Sequence, residues 1–135
     1  TILMSEAQKP LTVPKELLGP PASDFNPTLL MFLTAVGLVV FSTCGYWIWN
    51  WPDWCCFFTT VLALHMSGTV IHDASHNAAH RNRVMNAILG HGSALMLGFA
   101  FPVFTRVHMQ HHAHVNDPDN DPDHFVSTGG PLWMI

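Results

Sequence analysis

The sequence predicts an all-α membrane protein. It should hold a transmembrane helical hairpin, an interfacial or re-entrant helix, and cytosolic helices carrying clustered histidines. Three observations lead there. Hydrophobic residues make up 49% of the 135 and charged residues only 10%, against roughly a quarter charged in soluble domains. The charges that exist leave long gaps, the first of them between Asp24 and Asp53. The ten histidines are twice as many as the five Lys and Arg together. Few charges point to a membrane, and many imidazoles point to metal. The same figures exclude disorder, which needs low hydrophobicity and high charge. They also exclude a nucleic-acid binder, because five basic residues against nine acidic ones make no basic footprint. The length allows one domain.

Residues 1–27 hold five of the ten prolines, at Pro10, Pro14, Pro20, Pro21 and Pro27. They read as an extended cytosolic arm, with room for one helical turn at 15–18. Residues 28–49 are uncharged and long enough to cross a bilayer, which takes about 20 residues. Trp47, Trp49, Trp51 and Trp54 then crowd a short turn at 50–53, as aromatic residues do at a membrane–water interface. A second uncharged run, 54–71, returns. A signal peptide fits badly, because the first run starts late, is too long and lacks a small-residue cleavage site. A soluble hairpin would show a polar face, and neither run does.

All five basic residues flank the hairpin rather than its Trp-rich turn: Lys9 and Lys15 before it, Arg81, Arg83 and Arg106 after it. The N-terminus and the histidine clusters are therefore expected on the cytoplasmic side of a multi-pass protein. Residues 84–104 are also uncharged and 21 long, so hydropathy alone would make them a third span. We expect an interfacial or re-entrant helix instead. Gly90, His91, Gly92, Gly98 and Pro102 make a poor lipid-facing helix. Arg83 and Arg106 at its two ends favour one side. Cys44, Cys55 and Cys56 lie in apolar stretches without metal-knuckle spacing and read as small packing residues.

The first histidine cluster is HDASHNAAH, with His72, His76 and His80. Helical geometry offsets each from the last by about 40° and puts all three on one face. His65 falls on nearly the same stripe. The second cluster is HMQHHAH, in which His108, His111 and His112 share a face and His114 points elsewhere. Singly, His65, His91 and His114 read as ordinary packed or surface residues. Six clustered imidazoles beside a membrane are different, because burying them is costly unless something binds them. They suit zinc, copper, iron or nickel, but are too many for one tetrahedral zinc. They fit two metals, or one metal with open positions. A zinc-protease reading fails because HDASH has Asp73 where the general base Glu belongs. A calcium loop at DPDNDPD fails because Pro122 replaces its Gly and Thr128 its bidentate Glu. These Asp-Pro pairs, and Asn116 before them, read as turns.

HDASH followed by HMQHH beside a membrane hairpin resembles the fatty acid desaturase superfamily of integral-membrane di-iron enzymes. The wider wording, HDASHNAAH and HMQHHAHVNDPDNDPDH, is similar to the cyanobacterial-type β-carotene hydroxylases. The resemblance covers about residues 10–135. It implies that 28–135 is the first part of a desaturase-like domain. It implies two non-haem irons held by His72, His76, His80, His108, His111 and His112, with further ligands outside this chain. Asp73 and His124 would stand behind the ligands, accepting a ring N–H or closing the site. The superfamily's third box, HxxHH, does not follow His124, so the chain reads as an N-terminal half that is inactive alone. The implied chemistry is activation of O2 and attack on an unactivated C–H bond of a carotenoid or other lipid. On the hydroxylase resemblance, β-carotene becomes zeaxanthin through cryptoxanthin. The boxes themselves leave hydroxylation and fatty acyl desaturation both open. Electrons must come from outside, because no GxGxxG or flavin pattern occurs, and the resemblance implies a ferredoxin-like donor. In a cyanobacterium the membrane would be the thylakoid or plasma membrane. A membrane metal transporter would also use intramembrane histidine, but in mid-span rather than at span ends beside Arg.

Overall fold

The computed structural model describes residues 19–124, and these are all-helical. The Lys9 and Lys15 positions, the 15–18 turn and the segment after His124 lie outside the described residues. Four helices follow in order: α1 (Pro27–Trp47), α2 (Asp53–Ser75), α3 (Arg83–Leu97) and α4 (Phe101–Ala113).

Helix α1 begins where its sequence stops other structure. Asn26 caps it by accepting from the Leu29 N–H at 3.0 Å, and Pro27 takes the first turn, where no N–H is needed. Its 21 residues, and the 23 of α2, each span about 30 Å or more, the thickness of a bilayer's hydrocarbon core. Both are apolar enough to cross a membrane. Small residues are prominent among the buried positions of both, with Ala35, Ser42 and Gly45 on α1 and Ala63, Ser67 and Ala74 on α2. Small side chains let backbones approach, which is what packs helices where lipid is as apolar as leucine. Ser42 adds a polar tie, donating to the Cys56 carbonyl and meeting the Thr60 hydroxyl, each at 3.0 Å. The outward positions are large and apolar, among them Leu33, Val40, Phe57, Phe58 and Leu62.

The two ends of the hairpin differ in chemistry. At one end Phe41 packs edge-on against Trp49 and Trp51, which tilt against each other around the turn, with Trp47 and Trp54 exposed beside them. Asn50 makes that turn with φ 53°, a left-handed conformation that Asn tolerates. At the other end the Thr28 hydroxyl donates to Asp73 at 2.8 Å across 45 residues, stapling the start of α1 to the end of α2.

Helix α2 ends sooner than the periodicity of HDASHNAAH predicts. Asn77 adopts φ 57° and the chain turns away, so His76 is the C-cap and His80 lies in the following loop. The single helical face expected for His72, His76 and His80 is therefore corrected: only His72 sits within the helix. The loop is pinned by Asn86, a buried residue of α3. Its Oδ1 accepts from the Ala79 N–H at 3.0 Å and its Nδ2 donates to the Ala74 carbonyl at 2.9 Å. Asn86→Leu keeps the volume but orphans both backbone groups. At about 1–3 kcal/mol each, stability should fall by roughly 2–6 kcal/mol, read as a lower thermal midpoint in detergent.

The expected helix over 84–104 is instead two helices, bent by 96°. Gly98 closes α3 with φ 81°, and Pro102 opens α4. The bend folds Phe101 onto Gly90 so tightly that a Cβ there would collide with the ring. Leu89 joins Val70, Ala74 and Ala79 in the buried core, with Phe101 packed against it.

Candidate metal centre

Four imidazoles converge where α2 ends and α4 runs past it. His72 and His76 come from α2 and its cap, His108 and His112 from α4. Each offers one ring nitrogen such that all four lie within 4.8 Å of one another. His76 Nε2 stands 2.9 Å from His108 Nε2, and His112 Nε2 stands 3.1 Å from the same atom. The ring of His72 meets those of His76 and His108 at centroid distances of 4.8 and 4.7 Å. Phe104 stacks on His108 from one turn earlier on α4, 5.3 Å away and nearly parallel.

This crowding tests whether a cation fits. An imidazole nitrogen carries either one in-plane proton or one in-plane lone pair. His108 Nε2 can therefore satisfy one neighbour as a hydrogen bond, yet it has two. Lone pairs shared with a single cation remove the conflict. Metal–imidazole bonds of about 2.0–2.1 Å put two nitrogens at right angles about 2.9 Å apart, close to the spacing here. The electrostatics agree. Burial, and after it the neighbouring His72 and His112, hold His76 below its ordinary range. Burial again, then the surrounding histidines, push His108 down to about 4. Both shifts favour the neutral ring, the form a ligand must take.

The other expected site residues lie around this group. His80 is buried, accepts from the Asn82 N–H at 3.0 Å through Nδ1, and has Nε2 3.7 Å from Asp24. Asp24 in turn clasps Arg81 through two hydrogen bonds, Arg81 Nε donating at 2.6 Å, which holds the Asp24 carboxyl below the usual carboxylate range. His111 lies on α4 a quarter-turn from His112, its ring 5.7 Å from that neighbour's. Asp73 has one oxygen 3.5 Å from His72 Nδ1, while the other takes the Thr28 hydroxyl. His124 follows the acidic turn, with its N–H on the Asp121 carbonyl. Asn116 turns with φ 64°. His65, His91 and His114 are exposed, and none of the three is in the group.

Asp121 is the residue that sequence reasoning missed. Its carboxylate is buried against α4, where it accepts from His111 Nδ1 at 2.7 Å, from the Asn116 N–H at 2.8 Å and from the Asp123 N–H at 2.9 Å. Burial alone would raise its pKa, but these donors, His111 foremost, bring it down to about 2. The signal was four Asp at alternate positions directly after a histidine box. Nothing in that spacing says which of the four turns inward.

An apolar helical hairpin with histidines gathered at one end defines a class, and comparison with known proteins gives it a family. Residues 47–135 match the fatty acid desaturase family, and the chain belongs to that family. It is 27% identical over 101 residues to the sn-1 oleoyl-lipid 12-desaturase of Picosynechococcus sp.. That match covers 75% of this chain and 28% of the relative, so the chain spans about a quarter of the length of the curated protein it matches. No solved structure matches it.

Proposed function

We propose that this chain forms part of an O2-dependent di-iron enzyme that hydroxylates the β-ionone rings of β-carotene, giving zeaxanthin through cryptoxanthin. The observation that carries the metal reading is the convergence of His76 and His112 on the Nε2 of His108, with His72 beside them. Neutral imidazoles leave bound iron with positive charge and open positions, which is the chemistry needed to activate O2 against a C–H bond. The protein's own part is to bind and orient. His72, His76, His108 and His112 form the nucleus of the site. His80 and His111 flank it, and further ligands come from outside this chain. Asp73 orients His72, and Thr28 orients Asp73 in turn. Electrons come from an external donor of ferredoxin type.

The ring-hydroxylase assignment rests on the wording around both boxes, HDASHNAAH and HMQHHAHVNDPDNDPDH. The relative's name favours a second reading, a fatty acyl desaturase. Expression of the full-length protein in a β-carotene-producing host separates them. Zeaxanthin and cryptoxanthin are expected. Altered fatty acyl chains with β-carotene untouched would establish the second reading.

The boxes and the N-terminus lie, on this reading, at the cytoplasmic face. Helices α3 and α4 have 15 and 13 residues, each short of the about 20 needed to cross. Their 96° bend and the meeting of the two boxes support a re-entrant pair beneath the metal. Because four imidazoles assemble among the described residues, the purified 135-residue chain should hold iron weakly and show no oxygenase activity. Metal analysis checks this, and two tightly held irons per chain would contradict it.

A further inference from the structure

We infer that Asp121 is a positioning residue for the metal site, holding His111 with its Nδ1 protonated so that Nε2 is the nitrogen offered as a ligand. The inference rests on the reading of the boxes as a metal centre and goes beyond it by assigning a role to the acidic loop. His111 stands outside the four crowded imidazoles, and its Nδ1 is engaged at 2.7 Å by a buried carboxylate. A carboxylate can only accept, so Nδ1 carries a proton, and in the neutral ring that leaves the lone pair on Nε2. Ligand histidines commonly have their second nitrogen fixed in this way.

The loop is built to deliver that carboxylate. Gln110 Nε2, one residue before His111, donates to the Asn120 carbonyl at 2.9 Å and ties the loop to α4. The Asp121 N–H donates to the Asp117 carbonyl at 3.0 Å, and the Asn116 N–H holds Oδ2. With Oδ2 occupied, Oδ1 is left to face the imidazole. Asp123 has an oxygen 3.9 Å from the same Nδ1, beyond hydrogen-bonding reach but close enough to take over. Asp119 is exposed and makes no such approach.

The test uses the full-length iron-loaded protein and follows iron release to a chelator, alongside the melting of the metal-free protein. Asp121→Asn keeps an oxygen for one of the two backbone donors, which sit on Oδ2 and Oδ1 separately, and removes the anionic partner of His111. Because Asp123 could substitute, Asp121→Asn/Asp123→Asn is measured as well. Loss of an outer partner typically weakens metal binding 10–100-fold. The double variant should therefore release iron 10–100 times faster, with metal-free melting lowered too little to account for it and Asp119→Asn like wild type. Adding Asp121→Asn to His111→Ala should change nothing further, since the effect runs through that ring. Unchanged iron release in the double variant overturns the inference, as does a drop in metal-free melting that accounts for the whole effect. If the wild-type protein holds no iron, it is the metal reading itself that fails.

Discussion

Replacing His108 by alanine should empty the metal site and stop turnover in the full-length protein. Among the described residues the His108 ring makes the most ring contacts, with His72, His76, His112 and Phe104. Its Nε2 meets both His76 and His112, and its ring meets that of His72 and rests on Phe104. Alanine removes the nitrogen that His76 and His112 both approach, and Phe104 cannot donate a lone pair in its place. Iron content should fall to background, and product formation should become undetectable. His76→Ala and His111→Ala should also abolish turnover, because neither imidazole has a replacement nearby. His65→Ala and His91→Ala supply the contrast: both residues are exposed and stand outside the group, so iron content and activity should stay within about twofold of wild type. Iron analysis on the purified variants decides it. A His108→Ala protein that keeps its metal would remove the four-histidine centre from consideration.

The hairpin was legible because its signal is local and repeated. Two uncharged runs separated by four tryptophans leave few other structures open to the chain, and the helices begin and end within a few residues of the hydropathy limits. The pairing of the two boxes was legible because chelation constrains spacing, and His72, His76, His108 and His112 do meet. What periodicity could not supply was the point at which a helix stops. HDASHNAAH reads as helix throughout, yet Asn77 turns left-handed and His80 swings into a pocket set by Asp24 and Asn82, one of them 56 positions away. The bend between α3 and α4 was half legible: Gly98 and Pro102 flagged a poor helix, but not two helices at 96°. Asp121 was illegible for a similar reason. Its neighbours in sequence are chemically the same, and only the fold of the loop onto α4 picks one carboxylate out.

Single cysteines at Asn82 and at Gln110 should be modified from the same side of the membrane by an impermeant maleimide. Both positions are exposed, one opening α3 and the other near the end of α4. The experiment needs the full-length protein with its native cysteines, Cys44, Cys55 and Cys56 among them, replaced. Losing the Asn82 cap should weaken α3 by about 1 kcal/mol, which the packed core around Leu89 can absorb. A cysteine in place of Trp47, exposed at the turn of the hairpin, reports the opposite side. The expectation follows from distance alone. One crossing between the two labelled positions would separate the boxes by the bilayer's roughly 30 Å hydrocarbon core, whereas His76 and His108 stand 2.9 Å apart. A residue pair that shares a cation cannot straddle a membrane. Labelling of Asn82 and Gln110 from opposite faces would therefore sink the re-entrant arrangement of α3 and α4, and the shared di-iron site with it.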